Sequence, residues 1–559
     1  MPLSVAQFKS LKKRFMRKKD MMDSEWRDHW LDISEVTAPR HGRFLNRRDS
    51  TAAKGGNKSK KILNSTATRA AKVAAAGMKG GLTPHSLPWF KLGLQDKDLQ
   101  KWQPAREWLN QVQSLMYGTF SRSNFYHMIH NVYYEELLFG TGPLFIGEDP
   151  IKQIFCKAWT VGEYVVSVND RGQIDAAYRW YWLSVNAVAS RFGKENLSAR
   201  SQSLLNTNPD QHIQIIHCVF NREDNDRTKG DNLNFDWGSL YWEFKTSEDK
   251  WLGESGFNTN PLMFPRWDIV GEDAYGSSCP GMETLGDVQM LQKMERDKLM
   301  GLHKVVDPPM NVPAKLMGRL STLPGATNYM SSGDSESVRP TYQIAPDIRS
   351  AAEEIRVVEE RIKEGYYNDL FLMLMDAHTM TATEVAQRHE DKLAILGPVI
   401  ERQMSELLSP TIDRTFDVMS RGEWLPLPPE ELIDQELEVE YVSLLAQAQK
   451  MVGTQSIEKQ IRMVGESATL NPDIIDTIDF DEVSSQYAEM NGIPPKILRS
   501  PDQIKVIREQ RAQQQAQAQQ AEQMAGMAQT GKDLAQIPTG EGEENAAANI
   551  LGQMVEGAQ

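Results

Sequence analysis

The sequence predicts an α+β chain, mainly helical, and three observations carry that prediction. Apolar residues recur at helical spacing up to Gly140, the period then switches to two, and helical spacing returns from Pro280. The first stripe is Phe8, Leu11, Phe15, Met22, Trp26, Trp30 and Ile33, ending ahead of Pro39, which predicts one long amphipathic helix. A polar, basic stretch from Gly42 to Lys61 follows. Asn64 or Ser65 then caps an Ala-rich helix, which Gly77, Gly80 and Gly81 are expected to end. Trp108, Val112 and Leu115 mark a further helix, and Phe125, Ile129, Val132 and Leu137 another.

Beyond Gly140, the stretches Phe155 to Thr160, Tyr164 to Val168, Ile174 to Trp182 and His212 to Phe220 read as strands. Asn169, Asp170 and Gly172 supply the turn of a hairpin. Trp180, Trp182, Trp242, Trp251 and Trp267 suit half-buried sheet faces and are expected in the core rather than on a base-stacking surface.

From Pro280, residues Met282, Leu285, Val288, Leu291, Met294 and Leu302 mark a helix whose other face holds Asp287, Lys293, Arg296 and Lys304. It ends at Asp307, Pro308 and Pro309. A turn-rich segment with Gly325, Gly333 and Pro340 runs to about Asp347, and a highly charged helix returns through Ile355, Val358 and Ile362. Thr381 with Glu384 opens a further long helix in a capping-box pattern, with Pro398 and Pro410 placed to kink it. Residues 423–440 hold three prolines and seven acidic residues, which predicts a boundary. The end of the chain, from Gln510 to Gln529, alternates Gln and Ala before a Gly- and Glu-rich stretch at Gly540 to Asn545; it reads equally as a helix against neighbouring subunits or as disorder.

Composition bounds the function. With 559 residues, 40% hydrophobic and 25% charged, the chain is long enough for a sizeable core and has the make-up of an ordinary soluble protein. Its longest strongly apolar run, Leu370 to Met375, is far shorter than the roughly 20 residues a bilayer-spanning helix needs. The basic N-terminus lacks the apolar core of a secretory signal. Cys156, Cys218 and Cys279 are odd in number and far apart, which fits no disulfide framework or thiolate metal site and suits synthesis in a reducing cytoplasm.

Catalytic signatures are weak. Gly526, Gly531 and Lys532 have Walker spacing, but Asp533 stands where a magnesium-binding hydroxyl belongs, and no strand precedes them. Gly140 and Gly142 lack the third glycine of a dinucleotide fingerprint and read as a backbone corner. His127 and His130 share a helical face without further ligands, and Leu393 replaces the second histidine that would follow His389 and Glu390 in a metalloprotease helix. No enzyme, cofactor or metal is expected. The net charge of -14 argues against tight DNA binding, yet it is unevenly spread. Residues 1–60 carry fifteen Lys and Arg against seven Asp and Glu, whereas residues 421–559 carry ten against twenty-three.

In order and spacing, these segments resemble the head-to-tail connecting, or portal, proteins of short-tailed bacteriophages. The matching stretches are Ala74 to Leu82 with Pro88, Trp89 and Phe90; Glu135 to Phe145; Glu254, Ser255 and Gly256; and Arg266, Trp267, Gly271, Glu272, Tyr275 and Gly276. They continue with Asp307, Pro308 and Pro309, and with Met380 to Val385 followed by Leu396, Gly397, Pro398 and Pro410.

The resemblance implies a homo-dodecameric ring at one capsid vertex, through which double-stranded DNA is packaged and ejected. The implied partners are the terminase large subunit, the tail adaptor, the major capsid and scaffolding proteins and internal core proteins, with no membrane. It implies a wing over residues 1–279, a stem helix over 280–304, a clip over 305–348 and a returning stem helix over 349–367. A tunnel loop over 368–380, a kinked wing helix over 381–422 and a crown with its tail over 423–559 complete the subunit. Charged helices with a narrow apolar stripe fit this account, since they pack side by side in a ring. So does an acidic channel, which adds little drag on a sliding duplex. Candidate channel residues are Lys293, Arg296, Lys304, Asp369, Asp376, His378 and Thr379; candidate clip contacts are Asp307, Arg319 and Arg339. The alternatives are a virion component without a conduit, or an enzyme of the packaging motor.

Overall fold

The computed structural model describes residues 3–45, 59–96, 99–100, 102–222, 225, 229–246, 248–312, 321, 339–341, 347–375, 390–432, 437–443, 445, 463–464, 480 and 504–518. The chain divides into two compact units, Met1–Ile475 and Asp476–Gln559. Within the second, residues 504–518 are helical and mostly exposed. Thr381 and Glu384, His389, and the Walker-spaced Gly526 to Asp533 lie outside the described residues.

The first unit opens with two helices, α1 (Val5–Glu25) and α2 (Arg27–Val36), where the apolar stripe predicts one. The break falls at Trp26, whose backbone (φ -112°, ψ -28°) leaves the helical path while its indole lies 5.6 Å from both Trp30 and Tyr275. Spacing by seven residues puts Phe8, Phe15 and Met22 on one face of α1, and all three are buried. A capping box between Ser4 and Gln7 starts the helix.

Helix α3 (Thr66–Leu82) runs through the glycines expected to end it. Gly77 serves packing instead, since a Cβ there would sit 2.3 Å from Phe371. Strand β1 (Phe90–Leu94), in a stretch where the sequence predicts no strand, then leads to α4 (Gln103–Arg122) and α5 (Phe125–Phe139), the two helices that the periodicity predicts. Helix α5 ends at Gly140 in the left-handed region (φ +80°), and Trp267 donates its backbone N–H to the Gly140 carbonyl at 2.8 Å. The backbone corner expected there is observed.

Strands β2 (Leu144–Asp149), β3 (Gln153–Ala158), β4 (Tyr164–Val168), β5 (Ile174–Ser184), β6 (His212–Asn221), β7 (Trp237–Glu243), β8 (Gly253–Phe257) and β9 (Leu262–Met263) form two antiparallel sheets, ordered β3-β2-β9 and β4-β5-β6-β7-β8. The β4–β5 turn is built as expected: Gly172 has φ +72°, and the Asn169 carboxamide oxygen accepts from the N–H groups of Arg171 and Gln173. Phe15 packs on Tyr178, Trp180 and Trp242 of one sheet face, so the tryptophans are core groups there; Trp182, at the strand's end, is 43% exposed. Helices α6 (Val185–Phe192) and α7 (Ala199–Thr207) cross the other face. They are absent from the sequence reading, because each is short and lies inside a β-period region.

After one helical turn at Pro280–Glu283, the chain forms α8 (Leu285–Val306), the two-residue strands β10 (Met310–Asn311) and β11 (Arg339–Pro340), α9 (Ile348–Gly365) and α10 (Asn368–Met375). Helix α11 (Glu390–Gln403), a π-helical segment (Met404–Leu408) and α12 (Ser409–Arg421) follow. The expected irregularity is present, with Pro398 inside α11 and Pro410 at the start of α12, directly after the π-helical residues. Strand β12 (Leu437–Tyr441) then returns to pair with β1 over five residues. Residues 437–441 therefore belong with the N-terminal helices, and the division between compact units falls after Ile475 rather than within 423–440.

The junction of α11 with the π-helical segment carries a buried carboxyl. Glu136 on α5 accepts a hydrogen bond from the Gln403 side chain. Burial first, and the neighbouring Glu406 second, push its pKa well above the ordinary 4.5, against the opposing influence of Gln403 and Arg402. The folded state thus holds a proton that the unfolded chain releases above about pH 4.5, and stability falls as pH rises from there toward the raised value. Glu136→Gln is expected to remove that fall: urea midpoints of the variant and the parent should coincide near pH 4 and diverge in the variant's favour by pH 8. Parallel pH profiles would show that Glu136 is ionised in the fold.

Candidate functional site

Helices α8 and α9 pack antiparallel through Val288 and Leu291 on one side and Ile355, Val358, Ile362 and Tyr366 on the other, all buried. The stripe is only one or two residues wide, so polar groups do the rest of the fastening. Gln292 accepts from the backbone N–H groups of Leu63 and Asn64 (2.7 and 2.9 Å) and donates to the Asn64 carbonyl (2.8 Å). The Asn64 carboxamide donates to Glu359 of α9 at 2.7 Å and to Glu295 of α8 at 3.2 Å, and its oxygen caps α3 at the Thr66 N–H. One side chain thereby joins three helices. Ser65, the alternative cap, makes no capping bond. Arg361 and Asp287 add a half-exposed ion pair at 3.5 Å, worth little in water.

Toward its C-terminus α8 loses its partner. Leu299, Met300, Leu302, Val305 and Val306 are 43–75% exposed, whereas Val288 and Leu291 are almost fully buried. Helix α8 ends on Asp307 and is followed by β10, which pairs antiparallel with β11; Asp347 then caps α9 by accepting from Arg349 and Ser350. The β10–β11 ladder thus lies between the two helices in the chain order.

Lys293, Arg296 and Lys304 are exposed on α8 and form no ion pair with any described residue. At 100° per residue they fall within a stripe about 80° wide. Asp307 is exposed at the helix end, and Arg339 lies in β11 opposite Asn311. Asp369 is exposed, but in the first turn of α10, so the loop expected over 368–380 does not begin before Met375. Leu370 and Phe371 are buried, the latter against Gly77, which makes residues 370–371 part of the core. Arg319, Asp376, His378 and Thr379 lie outside the described residues. The structure therefore brings together only the three α8 cations.

His130 is half-buried and its imidazolium is disfavoured by burial and by Lys79, while His127 is exposed. Burial pushes the thiols of Cys156 and Cys279 up to about 12, and all three cysteines are buried and unbonded. No group of three or more His, Cys, Asp or Glu side chains suited to a metal occurs among the described residues, and none of their helices is long and apolar enough to cross a membrane. Sequence reasoning found Asn64 as a cap but missed its bonds to Glu295 and Glu359, and missed Gln292. The available signal was a glutamine on the apolar stripe, beside Leu291 and four residues after Val288.

Comparison with known proteins places this geometry. A family model described as bacteriophage head to tail connecting protein matches residues 9–498. The chain is 36% identical over 530 residues to a probable portal protein of Bordetella phage BPP-1, covering 94% of each chain. It is 34% identical over 552 residues to the portal protein of Salmonella phage epsilon15, covering 97% of this chain and 98% of that one. The helix pair and the mixed α+β fold thus sit in a chain that belongs to the family of bacteriophage head to tail connecting proteins, the portal proteins.

Proposed function

We propose that this chain is the subunit of a homo-dodecameric portal ring at one capsid vertex, a conduit rather than an enzyme. In this reading the terminase large subunit drives double-stranded DNA inward through the ring, and the tail adaptor later docks on it for ejection. The major capsid and scaffolding proteins surround it, and internal core proteins stack on its inner side. Residues 280–304 and 349–367 are the stem, 305–348 the clip, 376–380 the channel loop and 381–422 the kinked wing helix. The crown is assigned to 423–559, with β12 as its tie to the wing.

The observation that carries the reading is the exposed apolar end of α8. Five large apolar side chains between Leu299 and Val306 are uncovered in one subunit, and in a ring a neighbour's stem buries them. Lys293, Arg296 and Lys304 then line the bore as three isolated cations, each meeting passing phosphates weakly. Purified full-length protein is expected to give closed rings with a central hole in negative-stain images, and no DNA-stimulated ATP hydrolysis. A strictly monomeric species at micromolar concentration would count against the ring. Replacing Lys293, Arg296 and Lys304 by glutamine should leave the rings intact and flatten the salt dependence of duplex retention by about 0.9 for each phosphate no longer neutralised. An unchanged slope would remove these residues from the channel surface.

A further inference from the structure

Three cations converge on the side of the wing sheet opposite α1. Lys157 of β3 reaches over the Tyr181 ring (6.0 Å), Arg179 of β5 lies over Tyr181 and Trp159 (5.4 and 5.6 Å), and Arg191 of α6 lies over Tyr241 and Phe192 (4.9 and 5.0 Å). The platform is rigid: Tyr241 stacks flat on His217 (4.1 Å, 2°), whose Nε2 is 3.0 Å from the Ser239 hydroxyl. Glu163 pairs with Arg179 at 3.0 Å, but Lys157 and Arg191 form no ion pair with any described residue. Burial, then Arg179 and Arg191, hold the Lys157 ammonium below its ordinary range, with Glu163 opposing. Like charges fixed against aromatic rings make a surface prepared for anions.

The complementary surface is on the same chain. Residues 423–440 hold seven Asp and Glu and no Lys or Arg. Of these, Glu423, Glu430, Glu431 and Glu438 are exposed, beside Leu427 at 91% exposure and a groove of about 650 Å³ that includes Trp108, Phe416 and Leu425. Among the described residues, the other acid-rich element is already mixed in charge, since α9 interleaves its glutamates with Arg356, Arg361 and Lys363.

We propose that Lys157, Arg179 and Arg191 of one subunit receive the exposed carboxylates of residues 423–440 on a second copy of this chain. The inference rests on the ring reading above and names one of its contacts. Two different surfaces meet, so the contact is head-to-tail, the kind that closes into rings. An even-numbered ring also permits strict alternation of two variants, which supplies the test.

Two full-length variants are made, one with Lys157→Glu and Arg191→Glu, the other with Glu430→Lys, Glu431→Lys and Glu438→Lys. Each alone is expected to show at least tenfold fewer closed rings by mass photometry at 0.1 M salt. Their equimolar mixture is expected to recover rings, because each reversed surface meets its reversed partner. Parent rings should loosen between 0.1 and 1 M salt, as the screening length contracts from about 10 to about 3 Å. Normal rings from either variant alone, or no recovery on mixing variants whose circular dichroism matches the parent, would overturn the contact. Normal rings with weakened binding of a short DNA duplex would assign the cations to nucleic acid instead. If the parent itself forms no rings, the ring reading falls, and this contact with it.

Discussion

Gly140→Ala is expected to destabilise the subunit by about 4 kcal/mol, combining about 1–3 for a side chain held at positive φ with about 1–3 for overpacking. Gly140 has φ +80°, and a Cβ there would stand 2.2 Å from the Gly276 carbonyl oxygen; the reciprocal Cβ on Gly276 would stand 2.0 Å from the Gly140 carbonyl oxygen. Backbone meets backbone, so no rotamer change relieves the clash. The Gly276 N–H also donates to Thr141 Oγ1 at 2.8 Å, which holds the two corners together. Gly172→Ala is the matched control, with φ +72° and nothing within 4 Å, and should cost only the backbone part, about 1 kcal/mol. Urea midpoints of the two variants, compared at equal slope, give the difference. Equal losses would mean that the two corners part readily and that Gly140 is needed only for its backbone angle.

Arg414→Met should cost a similar amount, about 3–5 kcal/mol, because it strands partners of a buried cation. The Arg414 side chain is 1% exposed on α12, pairing with Glu148 of β2 at 3.0 Å and Asp417 at 3.2 Å and donating to Thr259 at 2.9 Å. It fixes α12 to β2. Arg421 touches the same two carboxylates from a position 32% exposed, and Arg421→Met should cost only about 1 kcal/mol or less. Burial would raise the Asp417 carboxyl, but hydrogen bonds from Arg421 and Asn258 and the charges of both arginines hold it below the ordinary 3.8. A depressed carboxyl stabilises the fold above its unfolded value and loses that stabilisation as pH falls through its folded one. Acid-induced loss of stability below pH 4 should therefore be shallower in Arg414→Met than in the parent. An unaltered acid limb would detach Asp417 from Arg414 energetically.

The sequence was most readable where one periodicity ran long. Phe8, Phe15 and Met22, and again Val288 and Leu291, announced buried helix faces that the fold uses. It was least readable where a local signal met a tertiary demand. Gly77, Gly80 and Gly81 look like a helix stop, yet the helix runs on to Leu82, and Gly77 is small because Phe371 occupies the space beside it. The prolines at 426–429 look like a boundary, yet the chain turns there to reach β1. The α8 cations were visible as a polar face, whereas the polar fastening at Asn64 and Gln292 joins residues 228 positions apart, a distance no local pattern spans. The cations at Lys157, Arg179 and Arg191 come from three separate elements and share no sequence pattern.

The pairing of β1 with β12 also sets a timetable for synthesis. Phe90 is opposite Tyr441 and Leu94 opposite Leu437, and the Val442 N–H donates to the Trp89 carbonyl at 3.1 Å. At about 5–20 residues per second, the ribosome leaves β1 without its partner for roughly 17–70 s. Throughout that interval Phe90, Leu92 and Leu94 form an open edge suited to pairing with another nascent chain. Lys91, between the first two, is the one charge on the strand, a small guard over that wait.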